Sequence, residues 1–301
     1  MNLFVKSLLR KPYEAFRPII VAGKQLFFRK SVESNLKKEM LGNSYNHRAF
    51  SELPVSVFIP VAIKDLECIS QTVRSIREFL LHPIVEIVIC AANEDAIKLQ
   101  CDLLDVKFVD EKFVQPIDKS EIKYNCNGID RSGWLYQQFL KLSSVKYCQA
   151  SHVLVWDSDT ELVKPINFEF QGRLILEYSE EIHQPYEDCS LKLIGKNCGY
   201  NVGFTCHKIL LSKPMLLEML NEIEERHQLP WHEAVISSLD KHEASSFSEY
   251  NLYSNYVIAN HLDSVKIRHW RNFADVKTSN RLRNVMVRRM FSSVSYHSWA
   301  Q

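Results

Sequence analysis

From residue 54 onward, short apolar runs of strand length alternate with segments of helical spacing. Pro54-Val55-Ser56-Val57-Phe58-Ile59-Pro60 is a β-branched run closed by proline, and Leu66, Ile69, Val73, Ile76 and Leu80 then recur at helical intervals. Val85-Glu86-Ile87-Val88-Ile89-Cys90 completes a β-α-β unit. Ala91-Ala92-Asn93-Glu94-Asp95 ends that strand in turn residues, a helix is predicted over 94–104, and Val106-Lys107-Phe108-Val109-Asp110 reads as a third strand. This alternation predicts an α/β fold with a mixed, mainly parallel sheet and flanking crossover helices. Farther along, Asp130 or Ser132 caps a helix with an apolar face of Leu135, Phe139 and Leu142, and Arg173 to Glu177 reads as a strand. A polar stretch runs from Ser179 to Ser190. Gly199-Tyr200-Asn201-Val202-Gly203 predicts a tight turn or a close approach to something bulky. A helix is expected from Ser212 and Pro214 through about Arg226.

One stretch combines this pattern with chemistry. Ser151-His152-Val153-Leu154-Val155-Trp156-Asp157-Ser158-Asp159-Thr160 is an interior strand that stops at two aspartates. Asp-Ser-Asp-Thr is good turn chemistry in its own right, since these side chains bond nearby amides. Two uncompensated carboxylates at a strand tip also repel unless a cation or basic group joins them, and carboxyl ends of parallel strands are where α/β folds bind ligands. A divalent metal holding a diphosphate fits both facts.

Composition fixes the class and little more. The 301 residues are 46% hydrophobic, enough for one large α/β domain or two small ones, and we read a single main domain over 51–301 preceded by a basic extension over 1–50. The net charge of +1 is uneven: residues 1–50 carry ten Lys/Arg against three Asp/Glu and residues 264–301 eight against one, leaving an acidic middle. The extension mixes Phe4, Leu8, Phe16, Ile19, Ile20 and Phe27 with Lys6, Arg10, Arg17, Lys24 and Lys30. It reads either as an amphipathic segment on an anionic membrane surface or as a helix packed on the main domain. It lacks a continuous signal-peptide core, which points to a cytoplasmic location, peripheral on the inner face of the membrane if the first reading holds. The eight cysteines contain no Cys-x-x-Cys pair and read as core residues of a reducing compartment.

Other candidates come singly. No Gly-x-Gly-x-x-Gly or Gly-Lys-Ser/Thr follows the first strand, so phosphate must be neutralised otherwise. The N-terminus of the helix after Asp130 is a candidate anion site, with Arg131 and Gln138 near its mouth, although Arg131 reads equally as a surface charge. Trp231-His232-Glu233-Ala234-Val235-Ile236 lacks the second histidine of a zinc-protease motif, and that reading is rejected. Glu249, after the serine cap in Phe247-Ser248-Glu249-Tyr250-Asn251-Leu252-Tyr253, is either a helix-start carboxylate or a general base, with Asp240 and Glu233 behind it. His297 in the basic tail is a candidate third metal ligand.

Together, the β-α-β units, the Asp157-Ser158-Asp159 triplet and the missing P-loop resemble a glycosyltransferase of the GT-A fold. The segments Arg131 to Leu142, Val155 to Thr160 and Phe247 to Tyr253, in that order, further resemble the bacterial family DUF6492 over roughly 52–260. The resemblance implies sugar transfer from a nucleotide-sugar donor to a glycan or lipid-linked acceptor, in bacterial surface polysaccharide synthesis, with Mn2+ or Mg2+ as cofactor and no nucleic-acid partner. It implies Asp157 and Asp159 as metal and diphosphate ligands and His297 as a C-terminal metal ligand. Pro60, Lys64 and Asp65 at the first-strand exit, together with Asn93, would face the nucleoside. Two alternatives stay open: a sugar-1-phosphate nucleotidyltransferase, against which the glycine-free Val61-Ala62-Ile63-Lys64-Asp65 argues, and a non-catalytic sugar- or nucleotide-binding protein of the same fold.

Overall fold

Leu3 to Asn35 forms a single helix, α1, in the computed structural model, which describes residues 3–35, 41, 49–274 and 281–296, with 3–15, 35 and 281–283 described as helix backbone only. The predicted alternation follows. β1 (Val55–Pro60) is buried at every position, as a strand covered on both faces must be. α2 (Leu66–Phe79) turns Ile69, Val73 and Ile76 inward. β2 (Ile84–Ala91), α3 (Asp95–Leu104) and β3 (Lys107–Asp110) complete the second crossover, within a residue or two of the expected limits. After α4 (Glu111–Val114) and the small hairpin β4 (Asn125–Cys126) and β5 (Ile129–Asp130) come α5 (Ser132–Ser143) and β6 (His152–Trp156).

The second half adds β7 (Thr160–Leu162), β8 (Glu169–Phe170), β9 (Arg173–Tyr178), α6 (Gln184–Ile194), β10 (Lys208–Ser212), α7 (Lys213–His227), α8 (Trp231–Ser238) and α9 (Glu249–Asn260). β11 (Val265–His269), β12 (Asn272–Ala274), α10 (Arg281–Met290) and β13 (Ser293–Ser295) follow. The central sheet has the order β10-β6-β1-β2-β3, parallel except for β10. Two three-stranded sheets, β11-β9-β8 and β12-β13-β7, flank it. The fold is thus the mainly parallel α/β arrangement expected. From β1 the chain steps outward through β2 and β3 and later returns on the other side of β1 as β6. The β1–β6 junction is therefore the point where strand order reverses, and in such sheets ligands bind outside the carboxyl ends at that point.

Two features differ from the sequence reading or sharpen it. The polar stretch 179–190 contains most of α6, whose Pro185 sits in the first turn and whose buried side is only Cys189, Ser190, Leu193 and Ile194. So narrow a buried side leaves little periodicity to read. Gly203 lies where its backbone exchanges hydrogen bonds with Ser179 (2.8 and 3.1 Å), and a Cβ there would sit 1.9 Å from the carbonyl oxygen of Glu181. The bulky neighbour expected near these glycines is thus the chain itself. All eight cysteines are free, and six are buried.

Below the sheet, His82 ties two loops together. Its Nδ1 donates to the Leu53 carbonyl (3.0 Å) and its Nε2 accepts from the Phe168 amide (2.8 Å), which fixes the neutral tautomer. Burial disfavours the imidazolium and holds its pKa below the ordinary 6.5. Protonation therefore favours the unfolded chain: the contribution is complete above pH 6.5 and is lost as pH falls through the depressed folded-state value. Denaturant midpoints measured from about pH 7.5 down to 5 are expected to fall, with a shallower fall in His82→Gln.

Candidate active site

β6 is apolar because nothing polar survives where it lies: Val153, Leu154, Val155 and Trp156 are fully buried between β1 and β10. The first residue able to reach solvent is Asp157. There the chain turns sharply, with the Thr160 amide on the Asp157 carbonyl (3.2 Å) and the Trp156 indole donating to the Thr160 carbonyl (2.7 Å). From α2, Thr72 donates to the Ser158 carbonyl (2.7 Å). The exit strand β7 pairs with β13, and the Tyr296 amide bonds the Asp159 carbonyl (2.9 Å). Asp-Ser-Asp-Thr is therefore a turn, and the turn aims two half-buried carboxylates at the carboxyl edge of the sheet.

A lysine completes the group. α5 is buried on nearly all sides, and Lys141, 2% exposed, is the charge inside it. Its Nζ lies 2.6 Å from Asp157 Oδ1, 2.7 Å from Glu249 Oε1 and 4.5 Å from the centre of the Tyr250 ring. The Tyr250 hydroxyl donates to the same Asp157 oxygen (2.8 Å). Burial alone would lower the Lys141 pKa, but the two carboxylates outweigh it and hold it well above its usual value. For Asp157 burial works toward protonation, and the Lys141 ammonium together with His207 reverses this and keeps the carboxylate ionised. Glu249 moves the other way, its pKa raised by burial against the pull of Lys141.

The remaining expected residues divide by place. Asp65 lies at the exit of β1, half-buried, and its pKa is raised first by burial and then, against the opposing pull of Lys64, by the charges of Asp159 and Asp157. Asp65 thus stands at the end of β1 and Asp157 and Asp159 at the end of the neighbouring β6, with Lys64 exposed beside Asp65 and Pro60 ending β1. Glu249 opens α9 under the Ser248 cap, as its sequence suggests, but its side chain is 3% exposed and turned onto Lys141. Gln138 is buried, bonding the Trp134 carbonyl (3.0 Å) and approaching Lys141 Nζ (3.4 Å). Arg131 donates to the Ala244 carbonyl (2.7 Å) and Ser245 (3.2 Å) and lies over the Trp134 ring, so it anchors a loop. Asn93 and Asp240 are exposed, and Asp240 accepts from the His242 amide (2.8 Å) within its own turn. His297 lies outside the described residues; the described chain stops at Tyr296, one residue before it.

Three site residues had no assigned role in the sequence reading. Lys141 could have been noticed as a lone charge in a helix otherwise apolar from Leu140 to Leu142. Tyr250 followed directly from Glu249 on a helix start. His207 gave no signal: its left-handed backbone (φ 56°) puts its carbonyl on the Asp157 amide (2.9 Å) and its Nδ1 on Ser295 Oγ (2.9 Å). A recess of about 500 Å3 beside Phe50, His152, Asn167 and Glu169 opens at the opposite end of the strands, away from these groups.

Among the described residues no set of three or more His, Cys, Asp and Glu forms a complete metal-ligand group. The donor set nevertheless fits a cation: Asp157 and Asp159 are half-buried carboxylates on one turn at the carboxyl edge of the sheet, and their charges add to burial in raising the pKa of Asp65 at the exit of β1.

Residues 26–290 match DUF6492, described as a family of unknown function. No curated protein matches the sequence. Similar solved structures include apo mouse xyloside xylosyltransferase 1 (TM-score 0.45, 12% identity, 83% of this chain and 99% of that chain covered). They also include the galactosyltransferase LgtC with donor and acceptor sugar analogues (0.43, 14%, 83% and 88%). A further one is glucosyl-3-phosphoglycerate synthase from Mycobacterium tuberculosis with Mn2+, uridine diphosphate and glucosyl-3-phosphoglycerate (0.38, 12%, 72% and 70%).

Lys141→Met would leave two buried carboxylates without their cation. It is expected to cost about 3–5 kcal/mol of unfolding free energy in urea titrations. Adding Glu249→Leu should recover part of that loss, because one of the stranded charges goes with it.

Proposed function

The chain belongs to the DUF6492 family, and from the two aspartates at the end of β6, beside the end of β1, we propose that it is a glycosyltransferase. In this reading it moves a sugar from a nucleotide-sugar donor to a glycan or lipid-linked acceptor and uses Mn2+ or Mg2+. The observation that carries the reading is the turn that puts Asp157 and Asp159 at the end of β6, at the reversal point of a mainly parallel sheet. The resemblance of the β-α-β units, the Asp157-Ser158-Asp159 triplet and the missing P-loop to the GT-A fold supports it.

Breaking the bond between the sugar carbon and the phosphate oxygen leaves the electron pair on the nucleoside diphosphate, and the acceptor oxygen forms the new bond as its proton passes to the departing phosphate oxygen. Asp157 and Asp159, with His297 as the sequence suggests, would hold a divalent cation, which would supply positive charge for that leaving group. The chain's own residues do the rest. Lys141 is too buried to meet a substrate and acts as a positioning residue: it holds Asp157 at one oxygen, with Tyr250 fixing the same oxygen from the other side. Glu249, spent on Lys141, acts through it. Asp65, with its raised pKa, stands at the exit of β1, where the nucleoside half of the donor would lie. The nucleotidyltransferase reading is weaker, because Ile63–Asp65 forms a single tight turn with no glycine loop to wrap a triphosphate.

The first test is a thermal-shift titration of Mn2+ with a set of nucleoside diphosphates. The intact protein is expected to be stabilised by one nucleotide in the presence of metal, and Asp159→Ala to lose that effect while keeping its own melting temperature. Metal-dependent binding unchanged in Asp159→Ala would remove the reading. Labelled nucleotide sugars then separate an enzyme from a binding protein, since an enzyme releases sugar slowly to water even without acceptor. Glu249→Gln is expected to weaken nucleotide binding along with turnover. A general base at this position would instead lower kcat roughly 10²–10⁴-fold and spare affinity.

A further inference from the structure

α1 has two apolar faces, and the body of the protein uses one. The inward face sets Val21 and Ala22 against the cluster of Phe273, Val287, Phe291 and Val294, and Phe28 and Val32 against the main core. Gln25 is buried and donates to the Asn272 carbonyl (2.9 Å), while Arg17 donates to the Ala274 carbonyl (3.2 Å) across the Phe273 ring. The helix is thereby fixed in rotation. On the opposite side, Phe16, Ile19, Ile20, Leu26 and Phe27 stand 53, 46, 44, 51 and 79% exposed. At 100° per residue they fall, with Gly23, on one continuous stripe centred opposite Gln25. Exposed Lys24 borders it and exposed Lys30 closes its C-terminal end. Single exposed apolar residues are ordinary; a contiguous row on a rotationally fixed helix marks an interaction surface.

We propose that this face of α1 lies on an anionic lipid surface, with the helix parallel to the membrane and its apolar stripe in the acyl boundary. Charge selects this occupant. α1 carries seven Lys/Arg against two Glu, and α10, packed along it, carries four Arg and no acid. A second copy of the chain would set this basic surface against an identical one, whereas anionic headgroups neutralise it, each basic residue near the surface adding attraction. The geometry is surface binding, because no helix among the described residues is long and apolar enough to cross a membrane. The inference stands on α1 alone and does not depend on the proposed transferase activity.

Vesicle flotation of the full chain tests it without an activity assay. The protein is expected to float with vesicles of phosphatidylcholine and phosphatidylglycerol, to stay behind with phosphatidylcholine alone, and to lose binding as salt rises. Ile19→Ser with Phe27→Ser removes two exposed apolar groups and should lower partitioning at least about tenfold with the melting temperature unchanged. Lys24→Ser with Lys30→Ser should lower it by about fivefold per charge, on the anionic vesicles only. Absence of flotation, or equal flotation on neutral vesicles, would overturn the proposal. So would a concentration-dependent dimer in sedimentation that Phe27→Ser abolishes, since the face would then be an interface between copies.

Discussion

Everything at the sheet edge turns on one buried ammonium group. Lys141 reaches from α5 to Asp157 at the tip of β6 and to Glu249 at the start of α9, so elements from three parts of the chain meet on a single charge. Two carboxylates this close, one buried and one half-buried, would repel each other and draw protons; the lysine makes their joint placement tolerable. Such an arrangement adds little net stability compared with an apolar core of the same volume. What it supplies is direction: Asp157 is held at one oxygen by an ammonium and a phenol and has little freedom to swing. A second buried ionic group, Glu177 with Lys208 and Arg268, lies behind it, and Lys208 pairs with Trp156 across the β10–β6 ladder. The acidic turn thus rests on charges that are already paired with one another.

What the sequence revealed and what it hid follow from distance along the chain. β1, β2 and β3 were legible as short apolar runs bounded by turn residues, and α2 because its burial repeats at the helical period; both signals are local. The carboxylate turn was legible for a related reason: a fully apolar strand that stops at an acid announces its own end. The relation between Lys141 and Glu249 was not, because the partners are 108 positions apart and no local pattern records their meeting. Glu249 shows both sides of this. Its serine cap is visible in four residues, but its burial depends on where α5 lies. The short strands β11 to β13 escaped notice because three to five residues give a period of two almost nothing to repeat.

α1 shows how a helix can look ambiguous in sequence because it does two things. A helix that only packs on a domain has one apolar side, and one that only rests on a surface has one apolar and one charged side. α1 has apolar residues almost all round with basic ones at the borders, so neither template fits it alone. The buried Gln25 resolves the orientation, since its hydrogen bond to Asn272 leaves no doubt which side faces the protein.

The pairing of β7 with β13 bears on the order in which the molecule can assemble. Thr160 and Ser295 face each other across 135 positions, and the Tyr296 amide closes on Asp159. As the chain emerges during synthesis, β1, β2, β3 and β6 can settle from neighbouring contacts while the acidic turn still lacks its outer edge. β13, made after them, supplies that edge, and α1, made before them, reaches its own partners β12 and β13 only then. Contacts of such long sequence separation form slowly, so a nascent chain would hold a finished sheet beside an unfinished site, and competence would arrive in one late step.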